Sequence, residues 1–248
     1  MARALFKAWF VDFEPVRSKM EGRTPEGMGA ATAALFPDKF EVLELGLIPK
    51  GWRVCTLGDE AEHLRRSVQP ESIEPDTAYI ALEHMPRRHI ALSDWGFADG
   101  LESNKFAFNK GEILFGKLRP YFHKVGVAPL DGVCSTDILV IAPKSQKWFG
   151  FVLGHVSSVD FVEYRNAGSS GTKMPRTRWA DMAHYAITRP SEPVAAAFGE
   201  IVRSLVDSMS ATIHPSCTFA TLRDTLPPKL ISGELRAKDA GKFVEEIV

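Results

Sequence analysis

At 248 residues, 45% hydrophobic and 25% charged, the chain has the composition of an ordinary globular protein and is long enough to bury a core. A formal net charge of -1 excludes the global basic field of an indiscriminate, histone-like binder, so any nucleic-acid affinity must come from a local patch. Cys55, Cys134 and Cys217 stand far apart with no C-x-x-C pair or Cys/His cluster, which points to neither a zinc site nor a disulfide framework. No apolar run reaches bilayer length and the N-terminus has no signal-peptide core, so the expected compartment is the cytoplasm, with no membrane role.

Residues 1–20 place Leu5, Phe6, Trp9, Phe10 and Phe13 at three- and four-residue spacing, one apolar helix face that needs a partner. Glu14-Pro15 is the expected stop, because the residue before a proline avoids helical angles. Residues 21–40 read as a Gly-, Pro- and Ala-rich linker with one helical turn around Ala30 to Leu35. Thr56 is a candidate N-cap for a short helix at Leu57-Gly58-Asp59-Glu60. Arg87, Arg88 and His89 make a compact basic tip close to His84, either a solvated loop or a DNA-facing one. His84 and His89 lack a third ligand nearby, so no metal is expected.

The stretch from Asn104 to Lys144 reads as strands joined by tight turns, since runs of β-branched and aromatic residues alternate with Gly and Pro. Between Asn104 and Lys124 the cations are Lys105, Lys110, Lys117, Arg119 and Lys124, and the only acid is Glu112. Cations on a strand-turn-strand frame beside Phe115, Tyr121 and Phe122 suit a phosphate-facing surface, or the solvated face of an ordinary sheet. Trp148 to Tyr164 reads as an amphipathic helix. Beyond it, Gly168-Ser169-Ser170-Gly171-Thr172-Lys173 is not a Walker A loop, because the glycines are too close and Thr precedes Lys. A glycine turn before a helix still suits a phosphate. Ile187 to Pro190 reads as a last strand, after which Ser191 and Pro193 open a helix. Phe198, Val202, Leu205 and Met209 follow the four-three-four rhythm of a coiled-coil seam or of a core-packed helix. Pro215 interrupts that helix, so a kink or two helices is expected, with a smaller effect from Pro227.

Several of these strings carry a family resemblance. Gly111-Glu112-Ile113-Leu114-Phe115-Gly116-Lys117-Leu118-Arg119-Pro120-Tyr121-Phe122-His123-Lys124-Val125, followed by Cys134-Ser135-Thr136-Asp137, resembles the target-recognition domain of the DNA specificity subunit of type I restriction–modification enzymes. Ile48-Pro49-Lys50-Gly51-Trp52 resembles the start of such a domain, and residues 4–23 resemble the end of the family's central conserved region. Thr221 to Arg236, TLRDTLPPKLISGELR, resembles the family's closing segment nearly letter for letter.

The resemblance implies an α+β fold in five parts: an N-terminal conserved-region helix at 1–20, a linker at 21–40, a target-recognition domain at 41–190, a C-terminal conserved-region helix at 191–236, and a tail at 237–248. The recognition domain would carry a mixed or antiparallel sheet, and the terminal helices would form an antiparallel coiled-coil spacer. The implied partners are double-stranded DNA, modification (methyltransferase) subunits and restriction subunits, with a half-subunit forming a homodimer on a split palindromic target. Lys117, Arg119, Lys124, Lys173 and Arg176 are the candidate phosphate contacts, with Ser169 and Thr172 as hydroxyl donors. Tyr121, His84 and Arg88 are candidates for base edges.

No catalytic residue and no cofactor is expected. The chain has no Asn/Asp-Pro-Pro-Tyr/Phe methylation motif, no Walker A, no S-adenosylmethionine loop and no acid paired with Glu-x-Lys. Ser135, Asp137 and His123 could be drawn as a triad, but Ser135 lacks a strand-elbow-helix context. Two other readings stay open: a free-standing DNA-binding regulator, and a decayed assembly protein that only dimerises.

Overall fold

The computed structural model describes residues 1–43, 46–167, 175–232, 234 and 236, with the side chains of 165–167 and 214–226 left out. Helix α1 (Ala2–Phe10) buries Phe6, Trp9 and Phe10. It ends where the N–H groups of Val11 and Asp12 both donate to the Lys7 carbonyl, at 3.0 and 2.8 Å, and Phe13 turns left-handed at φ 54°. Glu14 and Pro15 then open α2 (Glu14–Met20). The single N-terminal helix expected from the sequence is therefore two, because a proline that stops one helix suits the first turn of the next, where its missing N–H is no loss. Helix α3 (Ala30–Ala34) is the one turn expected in the linker.

Strands β1 (Phe40–Leu43) and β2 (Gly46–Pro49) make a separate antiparallel hairpin. Next come β3 (Arg53–Thr56), α4 (Leu57–Glu60), β4 (Ala61–His63) and β5 (Ser67–Val68). Thr56 caps α4 in a capping box with Asp59, whose carboxylate accepts from the Thr56 N–H at 2.7 Å. Strands β6 (Ala78–Ile80), β7 (Gly96–Phe97), β8 (Lys105–Phe108), β9 (Ile113–Gly116), β10 (Val125–Val127), β11 (Gly132–Cys134) and β12 (Ile138–Pro143) complete two sheets, ordered β10-β9-β12-β4 and β5-β8-β11-β6-β7. Pairing within them is antiparallel except for β11 on β6, so the sheets are mixed as the α+β reading expects.

One buried cluster joins both sheets: Ile80, Phe106, Phe108 and Cys134 from the larger, Leu114, Ile138 and Val140 from the smaller. All four residues of β9 are buried, so both of its faces are covered. Leu114 enters the shared core, while Phe115 on the opposite face meets Phe161 edge-on at 6.1 Å.

Phe161 belongs to the second of two helices, α5 (Phe149–Val156) and α6 (Val159–Ala167). The expected amphipathic helix from Trp148 to Tyr164 is thus divided, and seven of the eight α5 residues are buried rather than one face. Two serines cause the division. The Ser157 hydroxyl donates to the Leu153 carbonyl at 2.6 Å and that of Ser158 to His155 at 2.8 Å, while Ser158 Oγ accepts the Phe161 N–H at 3.2 Å. Helix α7 (Trp179–Ala183) and strand β13 (Ala186–Arg189), paired with β3, lead into α8 (Glu192–Ile231).

Helix α8 continues through Pro215 and Pro227, so of the two outcomes expected there, a kink or two helices, the division into two helices does not occur. A proline deletes one N–H donor and crowds one carbonyl, and the flanking bonds of a 40-residue helix keep its continuity. By internal contacts the chain divides into Met1–Leu205 and Val206–Val248. Within the first unit the aromatic stripe finds its partner: Phe198 of α8 lies 6.1, 5.5 and 5.0 Å from the rings of Phe6, Trp9 and Phe10. Phe36, Trp52 and Phe151 close the same cluster. Gly154 permits it, because a Cβ there would stand 2.1 Å from the Phe6 ring. His155 is buried in this cluster, and burial depresses its pKa to about 3.

Phe198→Ala should lower unfolding stability by about 3–5 kcal/mol, the range for a fully buried Phe. Chemical denaturation measures it, and a loss under 1 kcal/mol, roughly that of a surface change, would show that the aromatic cluster does not anchor α8.

Candidate nucleic-acid interface

Gly116 ends β9 by donating its N–H to the Lys124 carbonyl at 2.9 Å, and the residues between form a protruding loop. Pro120–Phe122 is a single 3-10 turn, flanked by Arg119 and His123 in the left-handed region at φ 51° and 53°. The segment after residue 174 is stitched to this loop. Leu118 and Arg176 form an antiparallel bridge, the Arg119 N–H donates to the Pro175 carbonyl at 2.9 Å, and that of Thr177 to Lys117 at 3.0 Å.

The basic tip after β6 reaches the same place. The Arg88 N–H donates to the His123 carbonyl at 2.9 Å with Arg88 itself left-handed at φ 58°. The Arg87 guanidinium lies 3.8 Å from the centre of the Phe122 ring, and the Lys124 ammonium donates to the Leu82 carbonyl. Among the described residues four non-glycine positions have positive φ, and three of them, Arg88, Arg119 and His123, lie in this cluster. Such a conformation costs an L-residue roughly 1–2 kcal/mol, and strain of this kind concentrates where function needs it.

The cations crowd one another. Burial lowers the Lys117 pKa, with Arg176 and Arg65 pushing the same way against Asp137. Burial, then Lys117 and Arg65, hold His63 down to about 4. Arg176 stands 3.7 Å from Asp137 with 66% of its side chain exposed, so the pair is a weak one. Lys117 therefore sits among two cations, Arg176 and Arg65, with Asp137 as the opposing acid.

The structure places the expected site residues unevenly. Lys117, Arg119 and Arg176 meet at the seam, with Tyr121 exposed beside them. Lys124 is turned toward the Leu82 carbonyl and Arg119 buries its Nε. His84 faces its own turn, Nδ1 accepting the Ala81 N–H at 3.0 Å. Ser169, Thr172 and Lys173 lie outside the described residues. Sequence reasoning missed Arg65, and it named Phe122 as an aromatic beside the cations without foreseeing its contact with Arg87. Arg65 and Arg66 look alike in the sequence, but Arg66 pairs with Glu112 while Arg65 is exposed. The triad of Ser135, Asp137 and His123 is not assembled, because His123 Nε2 bonds the Ser157 carbonyl at 2.9 Å and Ser135 Oγ accepts the Asp137 N–H at 3.2 Å. Among the described residues no group of His, Cys, Asp and Glu could hold a metal ion, and no helix is long and apolar enough to cross a membrane.

The sheets thus brace strained, cation-bearing loops whose backbone hydrogen bonds are spent on shaping the loops. No family model matches the chain. It is 27% identical over 209 residues to the specificity subunit of the type I restriction enzyme EcoDI of Escherichia coli, covering 81% of this chain and 46% of that protein. It is 23% identical over 251 residues to the MjaIX specificity subunit of Methanocaldococcus jannaschii, covering 96% and 53%. A solved type I restriction–modification S subunit from M. genitalium is 16% identical with a TM-score of 0.47, covering 73% of this chain and 46% of that one. The chain is thus similar to type I restriction enzyme specificity subunits and spans about half the length of the curated relatives it matches.

The low pKa of His63 gives a direct check of which way the cations face. An anion beside Lys117 and Arg65 removes their repulsion, so added duplex DNA should move the His63 imidazole titration upward from about 4. Histidine ring shifts followed by NMR against pH report it, and an unchanged midpoint would turn this surface away from DNA.

Proposed function

We propose that this chain recognises DNA sequence for a type I restriction–modification enzyme, reading one half of a split target and leaving the chemistry to other subunits. The observation that supports this most directly is the seam at Leu118 and Arg176, which gathers three separate segments into one cationic surface. In this reading the domain at 41–190 lies on duplex DNA. Lys117, Arg119 and Arg176, with Lys173, Ser169 and Thr172 from the sequence just before Pro175, hold phosphates and set the register without reading sequence. Tyr121 and Arg88 face base edges, with His84 a lesser candidate. Lys124, engaged by the Leu82 carbonyl, contributes charge more than contact.

The segments at 1–20 and 191–236 dock modification subunits, which methylate adenine, and restriction subunits join that core. A homodimer, with the terminal helices pairing as an antiparallel coiled-coil spacer, sets the distance between half-sites. The likeness of the curated relatives supports this assembly, and their role as specificity subunits supports a non-catalytic chain in a cytoplasmic complex.

Mapping methylated adenines in DNA from a cell that carries this chain with its neighbouring modification subunit tests the whole reading. A bipartite motif that disappears with this chain is expected, and methylation that persists without it refutes the proposal. In binding assays, four cationic phosphate contacts give a slope of log K against log salt of roughly -3 to -4. Arg176→Ala should weaken all duplexes alike and flatten that slope by about one unit. An unchanged slope removes Arg176 from the phosphate contacts.

A further inference from the structure

Each of the four non-glycine residues with positive φ among the described residues has a backbone reason to be there, but only three have a side-chain reason. The Phe13 ring packs edge-on against Phe40 and Trp52 at 6.0 and 5.8 Å. The Arg119 guanidinium lies 5.9 Å from the Phe122 ring, and the His123 imidazole bonds the Ser157 carbonyl. Arg88 is the exception. Its side chain is exposed and has no hydrogen-bond or ion-pair partner among the described residues. Glycine would meet the same turn without strain. An arginine kept there at a cost in stability is explained by something its guanidinium does outside this chain.

The surroundings decide how it is aimed. Arg87, the neighbouring cation, is committed to the Phe122 ring at 3.8 Å. Lys124 is committed to the Leu82 carbonyl on the other side of the same loop. Between them, the Arg88 N–H to the His123 carbonyl fixes the tip. The neighbouring cations are thus spent on holding the loop, and the tip presents one free guanidinium. A guanidinium with both edges open pairs best with two acceptors side by side, which on duplex DNA is the O6 and N7 edge of guanine in the major groove.

We propose that Arg88 is a specificity-determining residue that reads a guanine, and that Phe122, gripped by Arg87, is the positioning residue that presents it. This rests on the DNA-reading function proposed above and goes beyond it by separating reader from brace and naming the base. Phosphate contacts at Lys117 and Arg176 leave both roles untouched, since they carry no sequence information.

The test is selection of duplexes from a random-sequence pool by the full chain with its modification subunit, read by sequencing, with melting temperature followed in parallel. The wild type should enrich a motif containing a G·C pair at which Arg88→Gly loses preference by about 10- to 100-fold, the discrimination typical of one bidentate contact. Other positions should hold, and so should the melting temperature, because glycine relieves the turn. Phe122→Leu should lose the same position although Arg88 is intact, and Phe122→Tyr, which keeps the ring, should restore it. A full motif with Arg88→Gly overturns the reader, and a full motif with Phe122→Leu overturns the brace. A wild type that enriches nothing removes the sequence-reading role itself, and the assignment of Arg88 with it.

Discussion

Three backbone hydrogen bonds hold the candidate surface together: Arg88 to His123, Arg119 to Pro175 and Thr177 to Lys117, all between 2.9 and 3.0 Å. Each joins segments remote in sequence, so the surface exists only when all three loops are docked. Backbone bonds suit this task. They fix position without consuming the side chains that must face outward, and they satisfy groups that would otherwise be buried unpaired. The cost of assembly falls on the backbone angles, which is why the left-handed residues collect here.

The same economy governs charge. With a net charge of -1 the protein has no surplus of cations to spread about. Arg66 is neutralised by Glu112, and Arg189 by Glu60. Lys105 is buried, donating to the Ser103 hydroxyl at 2.8 Å. Around Lys117 the pairing thins, with Arg176 and Arg65 both acting against it and Asp137 the one acid that answers them. A local patch on a nearly neutral chain gives a salt-dependent but restricted affinity, unlike the broad field of a nonspecific binder.

Behind the loops stand two layers of support. The sheets share one apolar core, and α6 seals the far side of β9 through Phe115 and Phe161. The aromatic cluster of Phe6, Trp9, Phe10 and Phe198 ties the first helix of the chain to the start of the last. Strained loops are tolerable on such a base because the rigid layers over-determine their ends.

The sequence alone determined the apolar stripe on α1, the N-cap at Thr56 and the cationic character of residues 117–124, which rest on local spacing and turn chemistry, while the α+β class came from the family resemblance. It misjudged places where local rules pull two ways: Pro15 opens a second helix, Ser157 and Ser158 divide another, and α8 continues through Pro215 and Pro227. Only the tertiary structure decided which cations are available. Lys124 and Lys117 look equally free in the sequence, yet one donates to Leu82 and the other crowds Arg176. The same holds for Arg87 and Arg88, adjacent in the chain but opposite in role, because a side chain's fate depends on which distant carbonyl or ring the fold brings within reach.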